Sequence, residues 1–464
     1  MSNKTLLAID VGSTSITAVI AKNNPDGKIN ILGTGTSRSE GINKGSITNI
    51  EVASKAIKKA VSIARGSTSE VIDSSSISIS GAYTKGLRSL GSVNVPNGII
   101  TETEINQVMQ MALYNATIIP EYEVVHVLPI FFKVDDSKDI ENPLNMNGSR
   151  LEVSVYIVTA KRTALTNVKS ALKAAGIELT NFVLDGYASA ISLLDEQQNK
   201  FGATVINIGG TTTEFVSYKG SAVVYNGFIP VGSNHITNDL SVMLHTPPNA
   251  AETLKIKYGN LLQLSESEEL SIKKVKIPRI GDEQSTTEVS LDHIQTIIHA
   301  RIEEILVLIK NKLKNSGIQE NIGAGIVITG GMSQLSGIKE LAIKVFDNIP
   351  VKISNPINIK NGYMNFDDPT MSTIVGLLFY SLYENRTFEL DSNKNLMKKA
   401  VKKEELSAGQ TVNKQTVVKE EKVSESANIK EPLEKEDTTR LPTLSKKDKG
   451  RGMSRFWSKV SEWF

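Results

Sequence analysis

The chain contains one β-meander twice. Residues 6–36, LLAIDVGSTSITAVIAKNNPDGKINILGTGT, and residues 204–230, TVINIGGTTTEFVSYKGSAVVYNGFIP, follow the same order. Each has an apolar strand, glycine among small hydroxyl residues, a β-branched strand, a polar turn with glycine, and a third strand. The turns NNPDG and YKG fall at equivalent places. Two copies of one meander predict two similar lobes. Helical periods follow each copy: IEVASKAIKKAVSIAR after the first, HITNDLSVML and NAAETLKIKYG after the second. Further on, LDHIQTIIHARIEEILVLIKNKLK predicts a long amphipathic helix over 291–314, leading into the strand GAGIVITGG and a helix from SGIKELAIKVF.

The first reversal in each copy carries the chemistry. Asp10, Gly12, Ser13, Thr14 and Ser15 place a carboxylate, a bare backbone and three hydroxyls at a tight turn. Such a concavity suits phosphate, and Asp10 can order a hydrated Mg²⁺. Gly209, Gly210, Thr211, Thr212 and Thr213 repeat the device. One such turn is most often only a turn former. Two matched turns on similar lobes aim at one phosphate chain. Gly330 and Gly331, followed by Met332, end a strand and open a helix; they read as a βα loop or as a backbone platform for a nucleoside base. Glu252 and Lys255, three apart on one helical face, are either a surface ion pair or reach a ribose. GxxxxGK[ST] and GxGxxG are both missing, which excludes a P-loop and argues against a dinucleotide fold.

Composition narrows the rest. The 464 residues suffice for two to four domains. A net charge of +2 offers no electrostatic case for a nucleic-acid partner. There is no cysteine, and none of the five histidines stands in HxxxH or HExxH spacing, so disulfides, thiolate sites and zinc are not expected. The N-terminus has no signal-peptide pattern, and no apolar run approaches the roughly twenty residues of a membrane span. The expected place is the cytoplasm. From about Asn385 to Lys449 the sequence is rich in Lys, Glu, Ser and Thr and shows no apolar period. It predicts a disordered tether with a span of roughly 45 Å. The last segment, GRGMSRFWSKVSEWF, holds both tryptophans. At about 100° per residue, Met453, Phe456, Trp457, Val460, Trp463 and Phe464 share an arc of about 120°, with Arg451, Arg455, Lys459 and Glu462 opposite. After a tether there is no core to join, and this pairing suits a headgroup boundary with anionic lipid.

Together these elements resemble the actin, sugar kinase and heat-shock chaperone superfamily, and more closely the FtsA family of bacterial cell-division proteins. The likeness covers roughly residues 5–384 and the terminal helix. Its most specific part is SISISGAYTKGLRSLGSVNV, then GIITETEINQVMQMA and EYEVVHVLPIFFKVDD, which resembles the inserted subdomain 1C of that family. The resemblance implies an α/β, actin-like two-lobed fold of duplicated ribonuclease H-like domains. Subdomain 1A would be 1–83, 163–195 and 367–385; 1C 84–162; 2A 196–227 and 307–366; 2B 228–306; the tether 386–449; and the amphipathic helix 450–464. It further implies ATP with Mg²⁺ between the lobes, self-association into protofilaments, FtsZ held through 2B, later division proteins met through 1C, and attachment to the cytoplasmic face of the membrane at the division site. Two departures bear on chemistry. Asn207 stands where most of the superfamily has a second aspartate, and Asp185, in LDGYASAISLLDEQ, stands where relatives have Glu-Pro. An amide brings no charge or basicity, so ATP binding with at most slow hydrolysis is expected, Asp185 being the candidate catalytic carboxylate. The alternative is a cytoplasmic ATP-binding adaptor like PilM of pilus machinery, which shares 1C but lacks the tethered aromatic helix.

Overall fold

The computed structural model describes residues 4–24, 28–262, 273–318, 322–382 and 388–397. All fall in one of the chain's two compact units, Met1–Val401. The first lobe opens with β1 (Thr5–Val11), β2 (Ser15–Asn23) and β3 (Ile29–Arg38). A small hairpin, β4 (Ile42–Asn43) and β5 (Ser46–Ile47), precedes α1 (Ile50–Arg65) and β6 (Ser74–Ile79). Asn49 caps α1 by accepting a hydrogen bond from the Val52 N–H at 3.1 Å. The lobe resumes later with α3 (Arg162–Ala174), β11 (Asn181–Leu184) and α4 (Asp185–Leu193). Its sheet runs β11-β6-β1-β2-β3.

The second lobe repeats that plan. It comprises α5 (Glu196–Phe201), β12 (Thr204–Ile208), β13 (Thr213–Lys219) and β14 (Ala222–Ile229), then α6 (Ser233–Met243) and α7 (Pro248–Tyr258). A two-stranded ribbon, β15 (Lys274–Arg279) and β16 (Asp282–Ser290), leads to α8 (Leu291–Asn315), β17 (Ile326–Thr329), α9 (Ile338–Val345) and β18 (Val351–Ile353). The sheet runs β18-β17-β12-β13-β14. In both sheets an antiparallel meander is extended by two parallel strands on the side of its first strand. The copies agree in register too: Asp10 pairs with Thr17, and Asn207 with Glu214.

Between β6 and α3 the chain inserts β7 (Thr84–Asn94), α2 (Glu102–Asn115), β8 (Tyr122–Val134), β9 (Ser137–Ile140) and β10 (Arg150–Lys161), a separate sheet in the order β7-β10-β8-β9. Ile105, Val108 and Met109 of α2 pack with Val153 and Val155 of β10 in a core of their own. Two central helices connect the parts: α4, buried along nearly its whole length, and α10 (Ser372–Leu382). They cross so closely that a Cβ at Gly376 would lie 1.8 Å from the Ala188 carbonyl oxygen.

One expectation needs correction. The segment 386–449 was expected to be a disordered tether throughout, yet residues 388–397 are packed. Phe388 and Leu390 are 2% and 0% exposed in the core of the inserted sheet. The Leu390 N–H donates to the Val127 carbonyl and the Val127 N–H to the Leu390 carbonyl, both at 3.0 Å. This bridge covers a stretch of β8 that β9, paired only near Phe132 and Val134, leaves open. Glu389, also buried, accepts from the Tyr187 hydroxyl of α4 at 2.6 Å. Two apolar residues two apart satisfy one bridge but are too few to register as a period. The rest of the expected tether and the helix 450–464 lie outside the described residues.

Replacing Leu390 by alanine should therefore cost about 2–5 kcal/mol of stability, the range for a fully buried leucine. Urea denaturation of the full chain measures it. A loss within about 0.5 kcal/mol, normal for exposed positions, would return the segment to the tether.

Candidate functional site

The β1–β2 and β12–β13 reversals face one cavity of about 720 Å³. Its first wall starts at Asp10, the next-to-last residue of β1. Ser78, on β6, accepts a hydrogen bond from the Val11 N–H at 2.9 Å and donates one to Asp10 Oδ1 at 2.8 Å, which ties strand end and carboxylate together. The second wall is held by α6: the N–H groups of Ser233 and Asn234 donate to the Gly209 and Gly210 carbonyls at 2.9 and 2.7 Å. That contact takes two acceptors away from any anion in the cleft. The loops touch across it, for a Cβ at Gly210 would lie 2.2 Å from Thr14 Oγ1.

The floor is acidic. Asp10, Asp185 at the start of α4, and Glu214 of β13 all line the cavity. Burial pushes the Asp10 carboxyl up to about 6, against the opposing Ser78 hydrogen bond. Burial raises Glu214 to about 7, although Ser80 Oγ donates to its Oε1 at 2.6 Å across the two lobes. Asp185 is held well above the ordinary carboxyl range, first by burial and then by the charges of Glu214 and Asp10. Asn207 beside them is neutral; its Nδ2 donates to Ser189 Oγ at 3.0 Å and Thr373 Oγ1 at 3.3 Å, on α4 and α10.

The far end is shaped by α7 and the turn after β17. Lys255 is 6% exposed, and its ammonium donates to Glu252 Oε2 at 2.7 Å and Thr237 Oγ1 at 3.0 Å, so this is a partly buried network and no loose surface pair. Gly330 has φ +86°, in the left-handed region, and a Cβ there would meet Asn207 Oδ1 at 2.4 Å. Gly331, Met332 and Ile256 also lie in the cavity wall.

The cavity thus brings together Asp10, Gly12, Ser13, Thr14, Ser15, Asp185, Asn207, Gly209, Gly210, Thr212, Glu252, Lys255, Gly330, Gly331 and Met332. Two residues expected there are not in its wall. Thr213 is buried with its hydroxyl donated to the Val231 carbonyl, because the side chain of this strand position points into the lobe. The Thr211 hydroxyl is buried without a hydrogen-bond partner among the described residues. The expected membrane-facing set, Met453 to Phe464, lies outside them. The sequence reading missed Glu214, Ser80, Ser78 and Thr373. Glu214 was accessible in principle, since aligning the two meanders places it opposite Asn207; the serines and Thr373 come from distant strands and a distant helix.

The donors fit a hydrated divalent cation with a phosphate chain. Asp185 Oδ1 and Glu214 Oε2 are buried acceptors without a hydrogen-bond partner among the described residues. Yet no group of three or more His, Cys, Asp or Glu among the described residues could hold a metal directly. A cation here would be held largely through water and the ligand's own oxygens, as Mg²⁺ usually is.

Comparison with known proteins gives this arrangement a family. Residues 204–376 match the family model Cell division protein FtsA, and residues 81–159 match that of the SHS2 domain inserted in FTSA. The Cell division protein FtsA of Helicobacter pylori (strain ATCC 700392 / 26695) is 33% identical over 414 residues, covering 83% of this chain and 84% of that protein. The chain belongs to the FtsA family. The FtsA of Pseudomonas aeruginosa is 32% identical over 383 residues, covering 82% and 90% respectively. Among solved structures, a chain of the PilM-PilN type IV pilus biogenesis complex aligns with a TM-score of 0.57 at 15% identity, over 82% of this chain and 99% of that one, a likeness of fold. The molecule is an actin-like cell-division protein with the inserted domain of FtsA.

The acidic floor gives this FtsA-family chain a pH dependence. Because the Glu214 pKa rises from an ordinary 4.5 to about 7 on folding, the native state holds its proton more tightly. Its contribution to stability is complete below its unfolded value and is lost as pH rises through about 7. Without nucleotide, the protein should be less stable at about pH 8 than at about pH 5, and Glu214→Gln should remove on the order of 2 kcal/mol of that difference. Urea titrations at both pH values measure it. An unchanged difference in the variant would contradict the buried proton.

Proposed function

We propose that this protein binds Mg·ATP between its lobes, polymerises on the cytoplasmic face of the cell membrane at the division site, anchors FtsZ there and so helps assemble the septum. The observation that carries the nucleotide reading is the convergence of two equivalent glycine–hydroxyl loops, from the two copies of one meander, on one cavity. In this reading Gly12–Ser15 and Gly209–Thr212 hold the phosphates, and Asp10 orders the water shell of Mg²⁺. Glu252 and Lys255 meet the ribose, and Gly330, Gly331 and Met332 pack on the base. The bound metal supplies charge neutralisation of the phosphate chain. Asp185 is the candidate carboxylate for activating water. Burial and the charges of Glu214 and Asp10 raise its pKa, and Asn207 adds no base, so in this reading turnover is slow and ATP serves chiefly as a ligand of assembly.

Three further supports carry the rest. Membership in the FtsA family supports the division-site role, with FtsZ met through 2B, self-association into protofilaments and later division proteins met through 1C. The tail sequence supports reversible lipid attachment through Met453, Phe456, Trp457, Val460, Trp463 and Phe464, with Arg451, Arg455 and Lys459 on the anionic side. No helix among the described residues is long and apolar enough to cross a membrane, and attachment through the tail needs none. The PilM reading has no support beyond shared fold, at 15% identity.

Two variants separate the two halves of the proposal. Gly210→Asp puts a charge against Thr14, where the phosphates lie in this reading, and should weaken ATP binding by at least about a hundredfold through like-charge repulsion in a partly desolvated site. Trp457→Glu should abolish pelleting with anionic liposomes. Each should leave the other property intact, as read by fluorescent-nucleotide titration and liposome sedimentation. A folded Gly210→Asp protein with unchanged affinity would sink the nucleotide site; wild type that ignores protein-free liposomes would sink the membrane helix.

A further inference from the structure

A second cavity, of about 290 Å³, adjoins the phosphate end of the cleft. It is bounded by the β4–β5 hairpin, the ends of β1, β6 and β10, and the first turns of α3. Val11, Gly45 and Ser80 line both cavities, so the two share a wall. That wall is thin. Gly45 has φ +74° and lies so close to Ser80 that a Cβ would come within 2.2 Å of Ser80 Oγ. Ser80 is the residue whose hydroxyl holds Glu214 from the opposite lobe. At this place a glycine and one hydrogen-bonded hydroxyl stand between the acidic floor and the second chamber.

The two chambers differ in charge. The cleft is lined by Asp10, Asp185, Glu214 and Glu252, whereas no described residue lining the second cavity is acidic. Its described lining includes Ser46, Thr163 and Lys161, beside Thr48, Ser78 and Ser80, whose hydroxyls already donate to the Gly41 carbonyl, Asp10 and Glu214. Ser46 Oγ is buried without a hydrogen-bond partner among the described residues. Lys161 lies over the ring of Tyr83, 5.8 Å from its centroid. Tyr83 holds φ +63°, a conformation in which a bulky residue is a genuine outlier, and such strain gathers at functional positions. It is 54% exposed, which places it at the outer mouth of the chamber. A small oxyanion on the floor of the cleft faces carboxylates; one step further those carboxylates stand behind Ser78 and Ser80, and the described lining adds Ser46, Thr163 and Lys161 with no acid.

We propose that this second cavity is a binding site for inorganic phosphate, reached from the cleft past Gly45 and Ser80 and open to solvent beside Tyr83 and Lys161. The proposal rests on the reading of the cleft as an ATP site. Its test uses the full-length protein saturated with Mg·ADP and titrated with radiolabelled orthophosphate in rapid filtration. Wild type should bind one phosphate in addition to ADP, and that binding should persist when a non-hydrolysable ATP analogue replaces ADP. Lys161→Glu, a change at an exposed side chain outside the nucleotide cleft, should weaken phosphate binding at least about tenfold by reversing the only formal charge among the described lining residues, with ADP affinity unchanged. Parallel samples given γ-labelled ATP instead of orthophosphate tell whether the site fills from the cleft or from solution; either filling supports it. Bound ADP without phosphate binding overturns this proposal alone, as does equal binding by the variant or competition between phosphate and the ATP analogue. Absence of ADP binding overturns the nucleotide reading and this site with it.

Discussion

The close approach of two backbone loops governs the rest of this molecule. Gly210 and Thr14 come from different lobes, and a Cβ at Gly210 would come within 2.2 Å of the Thr14 hydroxyl. Each loop is a reversal between the first two strands of a meander, and the matched registers Asp10–Thr17 and Asn207–Glu214 put both reversals at corresponding ends of their sheets. A shift of one residue in either strand pair would turn every side chain to the opposite face. Glu214 would leave the cavity and Thr213 would enter it. The site is therefore a consequence of strand register, and the helices α4 and α10 matter because they fix one register against the other.

The same closeness explains the electrostatics. Bringing two meander ends together crowds Asp10, Asp185 and Glu214 into a space shielded from bulk water, where ionised carboxyls are disfavoured by desolvation and by one another. In the proposed reading such a floor faces a hydrated divalent cation, whose charge reverses the local balance. Asn207, at the place in the second copy that Asp10 holds in the first, keeps one more charge out of this cluster and uses its amide to bind the central helices instead. In the proposed reading, a site arranged this way holds a charged ligand rather than turning it over. In a protein of the FtsA family, that suits a nucleotide acting as an assembly ligand.

Much of this was legible in the sequence because it is local. Alternating β-branched strands and glycine–hydroxyl turns announce themselves within thirty-odd residues, and the duplication doubles the signal. The insertion, too, was legible, through the resemblance of residues 84–162 to the inserted subdomain 1C of the FtsA family. What escaped notice depends on tertiary pairing. Ser80 matters only because Glu214 arrives from the other lobe, and Thr213 was misplaced because a run of threonines does not reveal which one faces inward. Phe388 and Leu390 look like chance apolar residues at the start of a charged stretch until β8 offers an uncovered edge. Register and edge satisfaction are properties of pairs of strands, so no single segment carries them.

The central claim is that the two loops form one ligand site. Hydrogen exchange read by mass spectrometry, with and without Mg·ATP, tests it most directly, since amides are protected where a ligand holds the backbone. Peptides spanning Gly12–Ser15, Gly209–Thr212 and Gly330–Met332 should slow together and with the same nucleotide dependence. Protection of one loop without the other, or of neither at saturating Mg·ATP, would contradict it.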